Sequence, residues 1–254
     1  MLKNKITFIS GASSGIGKAC AEEFAKAGSD LILCARRITR LNELADHLTK
    51  KYKVKVKVVE LDVRSRSSVK SAADSLGGEW ENIDILINNA GLSRGLEKIY
   101  EGNIDHWEEM IDTNIKGLLY VTRAVLPRMA EKSKGHIINI GSTAGHYVYP
   151  NGNVYCATKF AVNALTQAIR LDTYEKNIRV STVDPGMVET EFSEVRFSGD
   201  KGRAKKVYEG ISALTAEDIA SAVLFCATRP PHVNISEMIV TPQAQATPFH
   251  VHRK

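Results

Sequence analysis

The chain has 254 residues, 43% hydrophobic and 25% charged, with a formal charge of +5. That length buries a sizeable core, and the composition is that of a globular protein, which excludes a fibrous or disordered chain. No apolar run reaches the roughly 18 residues of a membrane helix, and the four cysteines (Cys20, Cys34, Cys156 and Cys226) are too scattered for a disulfide frame.

Met1-Leu2-Lys3-Asn4 leads directly into an apolar run, so no signal peptide is expected. Residues 6–10 read as a strand, followed by Gly11, Ser13, Ser14, Gly15, Ile16 and Gly17 and then a helix. A helix N-terminus after a tight turn offers unpaired N–H groups and a positive dipole end, which suit a phosphate. Glycine is needed where a Cβ would block the ligand's approach. The spacing G-x-x-x-G-x-G differs from the usual dinucleotide fingerprint G-x-G-x-x-G, and the same glycines would serve a turn that binds nothing.

Further strands are predicted at 30–35, 54–61, 83–88, 135–141, 178–183 and 237–240. Between them lie segments with helical period. One carries Leu41, Leu44, Ala45 and Leu48; another runs from Trp107 through Leu118 to Val125, bent or ended near Pro127. A third spans 154–176. A fourth spans 216–228, with Thr215 and Asp218 spaced as a capping box. The basic run 50–57 alternates lysine with valine, the pattern of a protected edge strand and not of a nucleic-acid surface. Strand–helix alternation over 1–254 predicts one α/β domain, a Rossmann-type doubly wound parallel sheet with helices on both faces. Ligands in such a fold lie beyond the C-terminal strand ends. The aperiodic stretch after Pro185, about 186–210, reads as a substrate lid.

Chemistry gathers at those strand ends. Arg36 and Arg37 end the second strand, where an acid would favour a free ribose hydroxyl and arginine a 2′-phosphate. Asp62 and Val63 end the third, where the carboxylate suits either an adenine amino group or a helix N-cap. Asn88, Asn89, Ala90 and Gly91 end the fourth. Ser142 follows the fifth, and Tyr155 and Lys159 share one helix face. A phenol with a reference pKa of about 10 is a poor acid/base near neutrality, and a neighbouring ammonium stabilises the phenolate. Such a pair can exchange a proton with a carbonyl or hydroxyl oxygen, which Ser142 can orient. By itself the spacing is also that of a buried tyrosine and a solvated lysine. Neither the cysteines nor the histidines have metal-ligand spacing, so no metal is expected.

Ser10-Gly11-x3-Gly15-x-Gly17, Asn88-Asn89-Ala90-Gly91, Asn114, Ser142, Tyr155-x3-Lys159 and Pro185-Gly186 stand in the order and spacing of the short-chain dehydrogenase/reductase family, which the whole chain resembles. The resemblance implies Tyr155 as catalytic acid/base and Lys159 as the residue that lowers its pKa and holds the nicotinamide ribose. Ser142 would orient the substrate, and Asn114 would hold a water that links Lys159 to solvent. Cofactor contacts would come from Gly11, Ser13, Ser14, Gly15, Ile16 and Gly17. Asp62 and Val63 would meet the adenine and Asn89 the adjacent ribose, with Ala90, Gly91, Tyr155 and Lys159 as further cofactor contacts. Pro185, Gly186, Val188 and Thr190 would hold the carboxamide. Arg36 and Arg37 match the members that prefer NADP.

Gly141-Ser142-Thr143-Ala144-Gly145, Asn153-Val154-Tyr155, the stretch from Glu191 to Phe197 and Pro242-x-Gln-like Pro242-Gln243 further resemble the NADP-dependent 3-hydroxy acid dehydrogenases. That branch implies a cytoplasmic homotetramer acting on small hydroxy acids: serine, L-allo-threonine, 3-hydroxyisobutyrate or 3-hydroxypropanoate, with malonic semialdehyde in reverse. A small hydroxy acid needs a cation for its carboxylate. Arg196 is the candidate, although a lid arginine in a surface ion pair fits its position as well. Two other readings share most of these motifs: a reductase of ketoacyl, diketone or sugar carbonyls, and a cofactor-sensing protein without catalysis. No nucleic-acid or membrane partner is expected.

Overall fold

Alternate residues of the apolar runs serve opposite faces of one sheet. In the computed structural model, which describes residues 1–254, the strands are β1 (Ile6–Ser10), β2 (Asp30–Ala35), β3 (Val56–Glu60), β4 (Ile85–Asn88), β5 (Gly135–Ile140), β6 (Ile178–Pro185) and β7 (Glu237–Val240). They pair in parallel throughout, in the order β3-β2-β1-β4-β5-β6-β7. The helices are α1 (Gly15–Lys26), α2 (Ile38–Tyr52), α3 (Arg66–Asp74), α4 (Ile104–Ile111), α5 (Leu118–Glu131), α6 (Asn153–Thr173), α7 (Phe192–Arg196), α8 (Lys201–Lys206) and α9 (Ala216–Ala227).

On one face Ile9, Leu31 and Leu33 pack with Phe24 of α1, Leu41 of α2 and Val223 of α9. On the other, Phe8 and Ile32 pack with Val69 of α3, Val121 of α5 and Val162 of α6. A sheet covered on both faces has hydrophobic strands throughout, which is why these runs read as continuous and not alternating. The doubly wound prediction therefore holds. Strand order reverses between β1 and β4, so their C-terminal ends border a crevice. Ser10 joins the two ends: its hydroxyl accepts from the Asn89 and Ala90 amides, each at 3.0 Å.

Several boundaries differ from the sequence pattern. Lys53 takes a left-handed conformation at the end of α2, so β3 starts only at Val56. It is nevertheless the edge strand, and Lys55 reaches Glu79 at 2.8 Å. β6 runs on to Pro185 because Asp184 and Pro185 pair with β7. Pro127 neither ends nor breaks its helix; α5 continues to Glu131, with Val125 and Met129 buried on either side of the proline. The helical irregularity lies earlier, in a π-turn at Asp112–Gly117 that carries Asn114. Such turns are common at functional sites. The stretch after Pro185 contains α7 and α8, each too short to print a period on the sequence.

The capping box at α9 forms in both directions. Asp218 N donates to Thr215 Oγ1 at 3.3 Å, and Thr215 N to Asp218 Oδ2 at 2.8 Å. Thr215→Ala is expected to cost about 1 kcal/mol. Equilibrium urea unfolding checks it through a lower midpoint with an unchanged slope.

Candidate active site

Two glycines of the first loop leave no room for a side chain. Gly11 has φ +68°, and a Cβ there would stand 2.9 Å from Ala90 Cα. At Gly17 a Cβ would overlap the Asn89 amide and the Gly11 carbonyl. Gly11 and Gly17 thus follow from the approach of β4's end to the loop, while Gly15, beside Thr190, has φ +51°. Asn89 locks that approach by donating from Nδ2 to the Ser10 and Gly11 carbonyls at 3.0 and 3.1 Å. Its amide nitrogen is engaged by the turn, so any ribose contact falls to its remaining oxygen.

Ser14 at the N-terminus of α1 makes no side-chain cap, and the first turn holds no acid. The helix end is therefore open to an anion. Arg37 arches over it: Nε donates to Ser13 Oγ at 3.1 Å and Nη2 to Ser14 Oγ at 2.6 Å. Its Nη1 pairs with Glu191 at 2.8 Å, and Arg40 pairs with the same carboxylate at 2.7 Å. These hydrogen bonds hold Glu191 below the usual carboxylate range. Glu191 thus ties the lid to Arg37, which follows β2, and to Arg40 of α2, a link whose distance in sequence hides it from any local motif. Uncapped helix end, glycine cradle and arginines at one mouth fit a phosphorylated dinucleotide.

A cleft of about 650 Å³ runs from this loop along the strand ends, within the range of ligand pockets. Gly11, Ser13, Ser14, Gly15, Ile16, Arg36, Arg37, Asp62, Val63, Asn89, Ala90, Gly91, Ser142, Tyr155, Lys159, Pro185, Gly186, Val188, Thr190 and Arg196 all line it. Gly17 and Asn114 stand behind the lining. Asp62 is forked by Arg64, with Nη2 to Oδ2 at 2.6 Å, and this hydrogen bond lowers its pKa. Asp62 does not cap α3; Ser65 does, accepting from Ser68 N at 3.1 Å. Asn88 points away from the cleft and bonds Thr122 and Asn139, each at 2.9 Å.

At the far end stand Ser142, Tyr155 and Lys159. Tyr155 is 8% exposed, and burial, then Tyr149, push its phenol well above the ordinary range. The Arg196 charge and the Ser142 hydroxyl pull it back. The Arg196 guanidinium lies 5.2 Å from the Tyr155 ring centroid, and Lys159 Nζ lies 5.9 Å from it. A helical spacing of four reveals the lysine but not the arginine, which arrives from the lid. Lys159 Nζ donates to the Ile140 carbonyl at 2.9 Å. Burial lowers its pKa to about 8, opposed by the Asp184 charge. Asn114 Nδ2 donates to Leu92 O at 2.8 Å and Thr158 Oγ1 at 3.0 Å, while Oδ1 accepts from Leu92 N at 2.9 Å. Asn114 thus staples the 91–92 loop to α6, and its oxygen faces Gly91 near Lys159 Nζ.

Arg196 is held on three sides. Nε donates to Ser93 Oγ at 3.0 Å, Nη2 to Tyr149 OH at 3.1 Å, and the Phe192 ring lies at 5.2 Å. It is not in a surface ion pair. Arg203 instead stacks on Phe197 at 4.4 Å, away from the cleft. Tyr149 and the C-terminal segment add lining that sequence reasoning missed, and buried Ser93 supports Arg196 from behind it. Gln245 Oε1 accepts from Met187 N at 2.8 Å, and Arg253 Nη2 donates to Val207 O at 3.0 Å, so the tail braces the lid. Neither contact has a sequence signal beyond a polar residue near the terminus.

Together the sheet, the open helix end and the tyrosine–lysine–serine group are the parts that a nucleotide-binding α/β enzyme of oxygen-centred proton transfer requires. The chain belongs to the short-chain dehydrogenase family: the short chain dehydrogenase model matches residues 5–201. It is an oxidoreductase of that family. A relative from Schizosaccharomyces pombe, an NADP-dependent 3-hydroxy acid dehydrogenase, is 48% identical over 254 residues, covering 100% of this chain and 98% of the relative. A Shigella flexneri protein of the same description is 45% identical over 251 residues, covering 98% and 100%. The closed form of a serine dehydrogenase complexed with NADP+ superposes with a TM-score of 0.93 at 45% identity, covering 98% and 100%.

Proposed function

We propose that the protein transfers hydride between NADP and C3 of a small 3-hydroxy acid: serine, L-allo-threonine, 3-hydroxyisobutyrate or 3-hydroxypropanoate, with malonic semialdehyde in the reverse direction. The observation that carries the substrate class is Arg196. Its Nε and Nη2 are engaged by Ser93 and Tyr149 while its guanidinium lies over the catalytic tyrosine. A cation fixed at that distance suits a carboxylate one short carbon chain away from the reacting hydroxyl.

When bound, the nicotinamide accepts or returns the hydride. The protein's own residues handle binding and the proton. Ser13, Arg36 and Arg37 recognise the phosphates, and the glycine loop admits them. In oxidation Tyr155 takes the hydroxyl proton as its C–H bond breaks, and in reduction it gives that proton to the carbonyl oxygen. Ser142 donates a hydrogen bond to the same oxygen. Lys159 favours the phenolate and holds ribose hydroxyls, and Asn114 holds the relay water beside it. Thr190, Val188, Pro185 and Gly186 border the carboxamide.

Arg196→Ala is expected to raise KM for L-serine about tenfold or more, the loss of one charge-assisted contact, with NADP+ affinity unchanged. Steady-state kinetics with NADP+ saturating checks this, and an unchanged KM would sink the carboxylate role. A cytoplasmic homotetramer is part of the same reading. Four free, buried cysteines support a reducing compartment. Leu119 on α5 and Phe160 and Leu171 on α6 are exposed apolar residues that support burial by other subunits. Light scattering gives the mass.

A further inference from the structure

One buried charged group has no part in that chemistry. Asp184, at the end of β6, has no accessible surface. Thr182 Oγ1 donates to its Oδ1 at 2.6 Å, and His146 Nε2 meets its Oδ2 at 2.9 Å. Its carboxylate lies directly against Gly141, where any Cβ would overlap Oδ1. Gly141 follows Ile140, whose carbonyl accepts from Lys159 Nζ. Carboxylate and ammonium therefore meet at the same dipeptide.

A buried ammonium without an opposing charge sheds its proton. For Lys159 burial acts first, and the Asp184 charge is what opposes it. The other groups about the pair come from every neighbouring element. Tyr155 faces Lys159 from the same helix, and Arg196 of α7 lies across the tyrosine ring. His146 also faces Glu237 of β7 at 3.3 Å and Asn163 of α6 at 3.3 Å. Of these, Asp184 is the anion buried on the lysine's side, while Glu237 is exposed.

We propose that Asp184, held by His146 and Thr182, is the counter-charge that keeps Lys159 protonated at working pH. It is a positioning residue: it acts through Lys159 and sets the pH at which proton transfer at Tyr155 is lost. The inference rests on the acid/base reading of Tyr155 and Lys159 above. Removing the anion makes Lys159 release its proton at lower pH, because a nearby negative charge opposes deprotonation of an ammonium, and Tyr155 then loses its positive neighbour at lower pH.

The test is the pH profile of kcat/KM for NADPH-dependent reduction of malonic semialdehyde by the full-length enzyme. Wild type, Asp184→Asn and His146→Gln are compared, with NADPH binding followed by its fluorescence at each pH. The basic limb of Asp184→Asn is expected to move about one pH unit lower, the small end of a single-charge effect. His146→Gln keeps the carboxylate charged and is expected to keep the limb in position, whatever happens to kcat. Where the asparagine variant fails to bind NADPH, Asp184→Ser, smaller and equally neutral, serves in its place with the same expected shift. A limb unmoved in the neutral variants, with only kcat reduced, overturns the inference and leaves Tyr155 untouched. An equal downward shift in His146→Gln overturns it too, because packing of the 142–146 loop would then be the cause. A wild-type enzyme that does not reduce malonic semialdehyde with NADPH overturns instead the proposed function on which the inference rests.

Discussion

Tyr155→Phe is expected to bind NADPH as wild type does and to turn over about 10²–10⁴-fold more slowly. The substitution removes one oxygen from a ring that is 8% exposed and packed 5.7 Å from Phe192. The ring's shape and its neighbours remain, so binding stays intact. What disappears is the phenolic hydroxyl that meets Ser142. Burial holds its proton firmly, and the Arg196 charge and Ser142 hydroxyl pull in the opposite direction. The enzyme thus starts from an acid that is strongly protonated and needs its positive neighbours to act as a base. Steady-state rates together with NADPH fluorescence titration check the prediction. Rates near wild type with normal binding would remove Tyr155 as the proton carrier.

Lys159→Met is expected to lose activity to a similar degree and to gain stability. Methionine keeps the apolar stem and discards the charge. Burial lowers the Lys159 pKa to about 8 in the folded protein, against about 10.4 in an unfolded chain. The folded state binds that proton less tightly than the unfolded state does. The ammonium therefore costs stability in full below pH 8, and the cost fades as pH rises from 8 towards the unfolded value. At pH 7 it is about 3 kcal/mol, the upper bound on what Lys159→Met recovers. The gain should be present at pH 7 and nearly absent above pH 10. Thermal unfolding of the cofactor-free protein at both pH values checks it. A variant less stable than wild type at pH 7 would show that the ammonium is net stabilising there.

These two residues were legible in the sequence because a helix brings positions four apart onto one face. The glycine loop was legible for a similar reason: strand, turn and helix follow one another without interruption. Both cases encode geometry within a short window. Arg196, Tyr149 and Ser93 meet through tertiary structure alone. Their contacts span 47 and 103 positions, and no periodicity links them. Glu191 is equally remote from Arg37, so the bridge across the mouth of the cleft was invisible although both residues stood within recognised motifs. Asp184 lies just past the strand predicted at 178–183, and nothing local ties its carboxylate to His146, 38 positions away, or to the Ile140-Gly141 dipeptide that Lys159 bonds. Pro127 misled in the opposite direction. Local chemistry disfavours it within a helix, but Val125 and Met129 bury the turn around it and the helix continues. The true irregularity, the π-turn under Asn114, has no residue type that announces it.

The central claim is that one cleft joins a phosphate-selective cofactor end to a carboxylate-selective substrate end. Parallel initial-rate assays of reduced-nicotinamide formation test it most directly. L-Serine, L-allo-threonine, 3-hydroxyisobutyrate and 3-hydroxypropanoate are each assayed with NADP+ and with NAD+. The account predicts turnover of at least one of these acids with NADP+ and much weaker turnover of the same acid with NAD+. Activity confined to NAD+ would contradict the role of Arg36 and Arg37, and activity on neutral alcohols with none on the four acids would contradict the role of Arg196.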